Sequence, residues 1–360
     1  MPDIATFNDV VLLLAAAAAG LALYNGLRAR RALRGRRFGR SVEVDGARLH
    51  LIEDGQGMPL LLLHGNGSSA EDFTTSGIVD KAAADYRVLA FDRPGFGRSS
   101  RPIGRIWSAA AQADLIDAAA AKLGIGRYIV LGHSWGAAVA LEMARRRPGR
   151  VAGVVLVSGY HYPSPRFELA LSGLPILPLI GTAFRHTLLP PLVRLGWAWS
   201  MRKIFGPAAI SAAFTATTRE LASRPSQLRS IAAESFLMWI EAAFVTPRHN
   251  DISVPVGIIA GAGDQLFDAP AEAFRLHADL ANSVVDIVPD AGHMVHLTAP
   301  QAVLAMIDKI AALSTTEDAQ LSDRQAAGAG ARQRRVPCNR PTAGNLPIHA
   351  ALSPCSKQQQ

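Results

Sequence analysis

Tyr128-Ile129-Val130-Leu131-Gly132-His133-Ser134-Trp135-Gly136 is the stretch whose reading decides the fold. Four strand-forming residues lead in, and a helical pattern from Trp135 to Arg147 leads out. The five residues Gly132 to Gly136 fit G-x-S-x-G, and their flanks are those the motif needs. A sharp strand-to-helix bend holds the serine in a strained conformation with its Oγ exposed, and flanking glycines avoid collision where strand and helix cross. The helix N-terminus adds favourable partial charge for a developing anion. An ordinary glycine-rich turn is the competing reading, because the bare motif is common; the strand before and the helix after favour a nucleophile.

Outward from this bend, short β-branched or leucine-rich runs recur at Pro59–Leu63, Arg87–Phe91, Val151–Val157, Val254–Ala260 and Val284–Val288. Helical patterns such as Ser108–Leu123 separate most of them, so the alternation is βαβ and the sheet mostly parallel. Continuous apolar strands indicate burial on both faces. Ahead of these runs, Val42, Val44, Leu49 and Leu51 alternate with polar neighbours around Asp45-Gly46, which predicts an antiparallel hairpin over Ser41–Asp54. From Tyr160 to Asn250 the alternation breaks. Here prolines (Pro175, Pro178, Pro190, Pro191), leucines and tryptophans (Trp197, Trp199, Trp239) occur with helical periodicity and no convincing strand, which predicts a helical insertion over one end of the sheet.

Nucleophilic serine chemistry needs a base, and the base needs a group to fix its tautomer. Gly292-His293 follows the Val284–Val288 strand and precedes a helix starting near Pro300, which puts His293 in a loop as the candidate base. His296 is the competitor. Asp264 follows Val256–Ala260 through Gly261-Ala262-Gly263, a strand end that can lift a carboxylate over the sheet edge, and is the candidate orienting acid; Asp268, Asp286 and Asp290 are weaker alternatives. His64-Gly65-Asn66-Gly67 follows the Leu60–Leu63 strand. The backbone N–H groups of Asn66 and Trp135 are the candidate oxyanion donors, with His64 itself read as a structural hydrogen-bonder.

These residues together resemble the broad superfamily of capped α/β-hydrolases that spans esterases, lipases, dehalogenases and epoxide hydrolases. Besides the serine bend, the resemblance rests on His64-Gly65, on Asp92-Arg93-Pro94-Gly95-Phe96-Gly97-Arg98-Ser99 and on Gly292-His293, and it covers residues 41 to 314. It implies an α/β-hydrolase fold with a helical cap and the chain order Ser, Asp, His. It also implies a mainly structural role for the Asp92–Ser99 loop, with Asp92 bonding nearby backbone. Haloalkane dehalogenases and many epoxide hydrolases share His64-Gly65-Asn66 and Trp135 but use an aspartate where this chain has Ser134. A carboxylate displaces halide or opens an epoxide, whereas serine suits acyl transfer.

Charge narrows the alternatives. The formal net charge is +8, yet seven arginines fall between residues 28 and 40, and the segment from 315 onward carries six basic and three acidic residues. With Asp3 and Asp9 at the start, residues 41 to 314 balance to zero, so no basic stripe supports nucleic-acid binding. Both cysteines, Cys338 and Cys355, lie in the polar tail, which leaves the core without a disulfide framework or a thiol nucleophile. No Cys/His cluster has zinc spacing and no phosphate-binding G-x-x-x-x-G-K-[ST] loop is present, so neither a metal nor a cofactor is expected. At the N-terminus, Val10–Leu23 is free of charge, acids precede it and arginines follow it. That order fits an uncleaved anchor with the catalytic body on the cytoplasmic side better than a signal peptide.

The expected organisation is therefore a membrane anchor helix (1–27), a basic juxtamembrane linker (28–40), a hydrolase core (41–159 and 251–314), a helical cap (160–250) and a disordered tail (315–360). The expected function is hydrolysis of a small apolar carboxylic ester, thioester, amide or lactone through an acyl-Ser134 intermediate, with oligomeric state left open. Carbon–carbon bond hydrolysis or cofactor-free perhydrolysis on the same triad is the alternative chemistry. A non-catalytic membrane-tethered ligand receptor is the alternative of another class. Cap residues Arg185, Arg194, Arg202 and Lys203, set among apolar neighbours, admit contact between cap and bilayer as well as a solvated face.

Overall fold

A computed structural model describes residues 4–34, 39–162 and 172–333, without the side chains of 4–7, 239, 241–248 and 317–333. Met1–Thr315 form one compact unit and Thr316–Gln360 a second. Eight strands make one sheet: β1 (Arg40–Val44), β2 (Ala47–Asp54), β3 (Met58–Leu63), β4 (Tyr86–Phe91), β5 (Tyr128–His133), β6 (Val151–Val157), β7 (Val256–Gly261) and β8 (Ser283–Val288). Their spatial order is β1-β2-β4-β3-β5-β6-β7-β8, antiparallel at β1/β2 and β2/β4 and parallel elsewhere. The hairpin closes with Val44 opposite Ala47, and its two turn residues, Asp45 and Gly46, have φ of 49° and 74°. Both positive values belong to the turn type that suits the twist of a two-residue hairpin.

Every apolar run read from the sequence is a strand, and the reason for the runs is visible in β3. Leu61 and Leu63 join the core on one face of the sheet, while Leu60 and Leu62 join the core on the other. Helices cover both faces. On one side lie α4 (Ala109–Lys122), whose N-terminus is capped by the Ser108 hydroxyl accepting from the Ala111 N–H, and α5 (Trp135–Arg146). The short α2 (Glu71–Thr75) and α3 (Ile78–Ala82) pack on the opposite face. Beyond β7 come α10 (Ala269–Asp279), α11 (Val295–Thr298) and α12 (Pro300–Gln333).

Between β6 and β7 the described chain is helical: α6 (Ile180–His186), α7 (Leu189–Phe205), α8 (Ala212–Ala222) and α9 (Pro225–Val245). Trp197, Met201, Phe205, Phe214 and Ala222 from these helices form a third, smaller core with Met294 of the hydrolase body. Arg194 does not face outward as expected, and Arg185 is only partly exposed. Arg185 donates to the Pro175 carbonyl and the Thr182 hydroxyl, and Arg194 to Asn25 and Glu220. Arg202 and Lys203 are exposed.

At the N-terminus α1 (Ile4–Arg34) is, among the described residues, the one helix long and apolar enough to cross a membrane. Residues 35–38 of the expected linker lie outside the described residues, as do 334–360 with both cysteines. The expected tail needs one correction, because α12 runs on to Gln333. The Ala-, Gln- and Arg-rich composition of 317–333 has high helix propensity without an apolar face, and no proline interrupts it before Pro337.

Candidate active site

The bend after β5 places Ser134 at φ 51°, ψ −118°, a left-handed conformation that a residue with a Cβ adopts only when its surroundings impose it. They do so here. The Ser134 N–H donates to the Val157 carbonyl at 2.9 Å, the Ala137 N–H donates back to the Ser134 carbonyl at 2.9 Å, and any Cβ on Gly132 would overlap the Gly136 carbonyl oxygen. The His64–Asn66 loop passes directly beside this bend, since a Cβ on Gly65 would lie 3.1 Å from that of Ser134 and 2.8 Å from His133 Nδ1.

His293 and Asp264 are brought together from loops after β8 and β7. His293 Nδ1 lies 2.7 Å from Asp264 Oδ2, while the other carboxylate oxygen accepts from the Leu266 N–H at 2.8 Å. With Nδ1–H donating to the carboxylate, Nε2 is left as the lone-pair nitrogen of the ring. The His293 backbone is clamped at both polar groups: its N–H donates to the Ile204 carbonyl at 3.0 Å, and its carbonyl accepts from His133 Nε2 at 3.1 Å. Ser134 and His293 line one cavity of about 580 Å³, with no hydrogen bond between them.

The rival assignments have other occupations. Asp268 caps α10 by accepting from the Ala271 N–H at 3.1 Å, and Asp286 is exposed on β8. Asp290 sits in a turn with φ 57°. His296 lies in the first turn of α11 with neither ring nitrogen hydrogen-bonded, its ring centroid 4.2 Å from that of His133 and tilted by 49°, and burial pushes its pKa down to about 3. A ring so reluctant to accept a proton is a poor base. Burial holds His133 well below the ordinary histidine value too, with His296 and His293 adding to the effect. His64 also stays neutral, lowered to about 3 by burial and then by the Arg93 charge. Its Nδ1 donates to the Gly65 carbonyl at 2.8 Å, and its Nε2 accepts from the Arg93 N–H at 2.9 Å, a structural role. Asp92 accepts from His50, Ala70 and Arg98, so it organises its loop as expected.

Sequence reasoning missed the support beneath the His64–Asn66 loop. The Arg93 side chain is fully buried and donates to the carbonyls of His64 (2.7 Å) and Gly65 (3.0 Å), while Glu234 on α9 accepts from both its terminal nitrogens at 2.7 and 3.0 Å. Gln112 joins the same cluster. Asn66 reaches the same helix, its side-chain amide donating to the Ile231 carbonyl at 3.2 Å and Ser235 Oγ at 3.0 Å. No local motif announces a pair 141 residues apart. The one available sign was a glutamate in an apolar helical stretch, Ala232-Ala233-Glu234-Ser235-Phe236-Leu237.

The cavity floor is polar, with Asn66, His133, Ser134 and His293, and its roof is apolar, with Leu192, Trp197, Trp199 and Met201 of α7, Phe214 of α8 and Met238 of α9. Such a site accepts a hydrophobic group and presents its few polar atoms at one end. Among the described residues no His, Cys, Asp and Glu group is arranged to hold a metal ion.

Comparison with known proteins agrees with this architecture. Residues 58–300 match the alpha/beta hydrolase fold family. Haloalkane dehalogenase 2 of Mycobacterium tuberculosis is 26% identical over 273 residues, covering 72% of this chain and 90% of that protein. The 2-hydroxymuconate semialdehyde hydrolase of Pseudomonas putida is 34% identical over 128 residues, covering 35% of this chain and 46% of that enzyme. Among solved structures, a membrane phospholipase A described as a bacterial virulence factor superposes with a TM-score of 0.61 at 24% identity, over 85% of this chain and 98% of its own. An esterase from Thermogutta terrifontis gives 0.61 at 22% identity, over 76% and 97%. These structural likenesses establish the fold.

Proposed function

The chain belongs to the alpha/beta hydrolase fold family, and from that premise we propose that it is a serine hydrolase cleaving an apolar carboxylic ester, thioester, amide or lactone. The observation that carries the reading is Ser134, held at positive φ on the β5–α5 bend, facing the same cavity as a His293–Asp264 pair joined at 2.7 Å. In this reading Ser134 Oγ attacks the substrate carbonyl as His293 Nε2 takes its proton. Asp264 holds the ring in the required tautomer and stabilises the imidazolium. The N–H groups of Asn66 and Trp135 receive the oxyanion, the second at a helix N-terminus where amide donors have no partner within the helix. His293 then protonates the leaving alcohol, thiol or amine, and an acyl-Ser134 ester remains. Water, deprotonated by the same imidazole, cleaves that ester and restores the serine.

The dehalogenase relative does not carry its reaction across. Alkyl transfer to serine would leave an ether with no carbonyl for water to attack, whereas an acylated serine is hydrolysable. The semialdehyde hydrolase relative, matched over 35% of this chain, supports the second reading, hydrolysis of a carbon–carbon bond on the same triad. Turnover of medium-chain nitrophenyl esters by the purified full chain, lost in Ser134→Ala, tests the acyl-transfer reading. Turnover only of carbon–carbon substrates would favour the second, and failure of a folded sample to react with a fluorophosphonate would favour a receptor. We further propose that α1 anchors the enzyme in a membrane, with the arginines of 28–40 keeping the body on the cytoplasmic side.

A further inference from the structure

The roof of the cavity carries an apolar surface that the fold leaves uncovered. Leu188, Leu192, Leu195 and Trp199 follow one another along α7 and its first flanking residue at helical spacing, a single outward stripe, with Leu195 84% and Trp199 68% exposed. The other side of α7 buries Trp197, Met201 and Phe205 in the cap core. Leu179 and Ile180 at the start of α6 are exposed too. Leu192 and Trp199 also line the cavity that holds Ser134, so the cavity mouth passes through the stripe. Contiguous apolar surface of this kind marks a membrane or protein contact.

The fold says which. α1 is fastened to these helices by a polar clasp at Asn25, fully buried although the residues before it on α1 are mostly exposed and apolar. Its amide donates to the carbonyls of His186 (3.0 Å) and Thr187 (2.7 Å) at the end of α6, and its oxygen accepts from Arg194 of α7 at 2.9 Å. Arg28, one turn on, pairs with Glu220 of α8 through both its Nε (3.1 Å) and Nη2 (2.6 Å). Ahead of the clasp, Ile4–Tyr24 has Asp9 as its one charge and spans about 32 Å at ~1.5 Å per residue, close to the roughly 30 Å of a hydrocarbon core. The clasp therefore falls at the edge of that core, and the cap fastened to it lies at the boundary, where an apolar face sinks roughly 5–10 Å. Arg202 and Lys203, exposed in the last turn of α7, are placed to reach lipid phosphates.

We propose that the Leu188–Trp199 stripe lies in the interfacial layer of the bilayer that α1 enters, so that the catalytic cavity opens onto lipid and draws its acyl substrate laterally from the membrane. The proposal rests on α1 being a membrane segment, and it deepens the apolar-acyl reading of the site.

The test uses the full chain reconstituted in phosphatidylcholine vesicles containing phosphatidylglycerol, with and without brominated acyl chains. α1 has no tryptophan, and Trp107, Trp135 and Trp197 are buried, so among the described tryptophans Trp199 is the exposed reporter. Bromolipid quenching of wild-type fluorescence that is largely lost in Trp199→Phe is the expected result. In parallel, the double variant Leu179→Asp/Leu195→Asp, at exposed positions outside the cavity wall, should still co-float with vesicles. It should lower hydrolysis of a vesicle-embedded acyl ester relative to a water-soluble one by roughly tenfold or more. Failure of the wild type to float would overturn the anchor and the proposal together. Flotation with quenching that Trp199→Phe leaves unchanged would overturn the proposal alone, as would a vesicle-independent dimer dissociated by Leu195→Asp. Neither quenching nor flotation depends on catalysis, so the acyl-serine reading survives or falls separately.

Discussion

The floor and the roof of the cavity are built by different means. The floor consists of strand ends and tight loops that the sheet brings side by side: Ser134 bonds across to β6, Asp264 is fixed by Leu266 two residues on, and Gly65 lies against the serine bend. The roof consists of helices joined to the body by a small apolar core and by long-range polar contacts such as Arg93 to Glu234, and to α1 by Asn25 to Arg194, and it exposes apolar side chains to its surroundings. A floor of this kind fixes the orientation of its polar side chains, which the proposed acyl transfer requires. A roof of the other kind decides what enters and from where. Substitutions in the floor should therefore act on kcat, and those in the roof on stability and access.

The sharpest way to break this division is Ser134→Ala, for which we expect kcat to fall on the order of 10⁵- to 10⁶-fold, with thermal unfolding unmoved, in nitrophenyl-ester assays on vesicle-bound protein. Asp264→Asn should follow, with kcat down by about 10⁴-fold because the His293 ring is left in the wrong tautomer. An equal fall in unfolding midpoint would show that Asp264 belongs to the scaffold instead. On the roof side, Glu234→Ala strands the buried Arg93 guanidinium and should cost about 3–5 kcal/mol in denaturant unfolding. Pairing it with Arg93→Met should recover much of that loss, and no recovery would mean that the carbonyls of His64 and Gly65 depend on Arg93 for more than charge.

The buried histidines of the floor give a pH signature. His64 and His296 are held near 3 by burial, against an ordinary value of 6.5, so they stay neutral while the unfolded chain takes up protons below 6.5. The unfolded state then binds more protons than the native one, and stability present above pH 6.5 drains away as pH falls toward 3. His296→Leu should make the stability–pH slope shallower in that window, and an unchanged slope would contradict the buried-neutral assignment. The smallest effect we expect is for Asp268→Ala. It removes a helix cap worth about 1 kcal/mol while kcat stays within a few-fold, in contrast to Asp264.

Much of the floor was legible in the sequence because its determinants are local. Strand burial writes itself as unbroken apolar runs, the serine bend as two glycines around one residue, and the Asp264 and His293 loops as glycines at strand ends. The element limits fall within a few residues of those expected for the same reason. The roof was legible only as helices. That Glu234 would face Arg93, or that Asn25 would be buried in α6 rather than point to lipid, depends on the packing of segments more than a hundred residues apart, for which a single sequence carries no spacing rule. Arg194 illustrates the cost: its surroundings suggest a surface charge, whereas the fold uses it to hold α1 through Asn25.

The most direct test of the central claim is to treat the folded full chain with a fluorophosphonate and map the adduct by mass spectrometry, comparing wild type with His293→Ala. We expect a single phosphonylated site at Ser134 in the wild type and a labelling rate reduced by orders of magnitude without the imidazole. A folded wild type that takes up no label, or takes it at another residue, or labels equally fast without His293, would contradict the account.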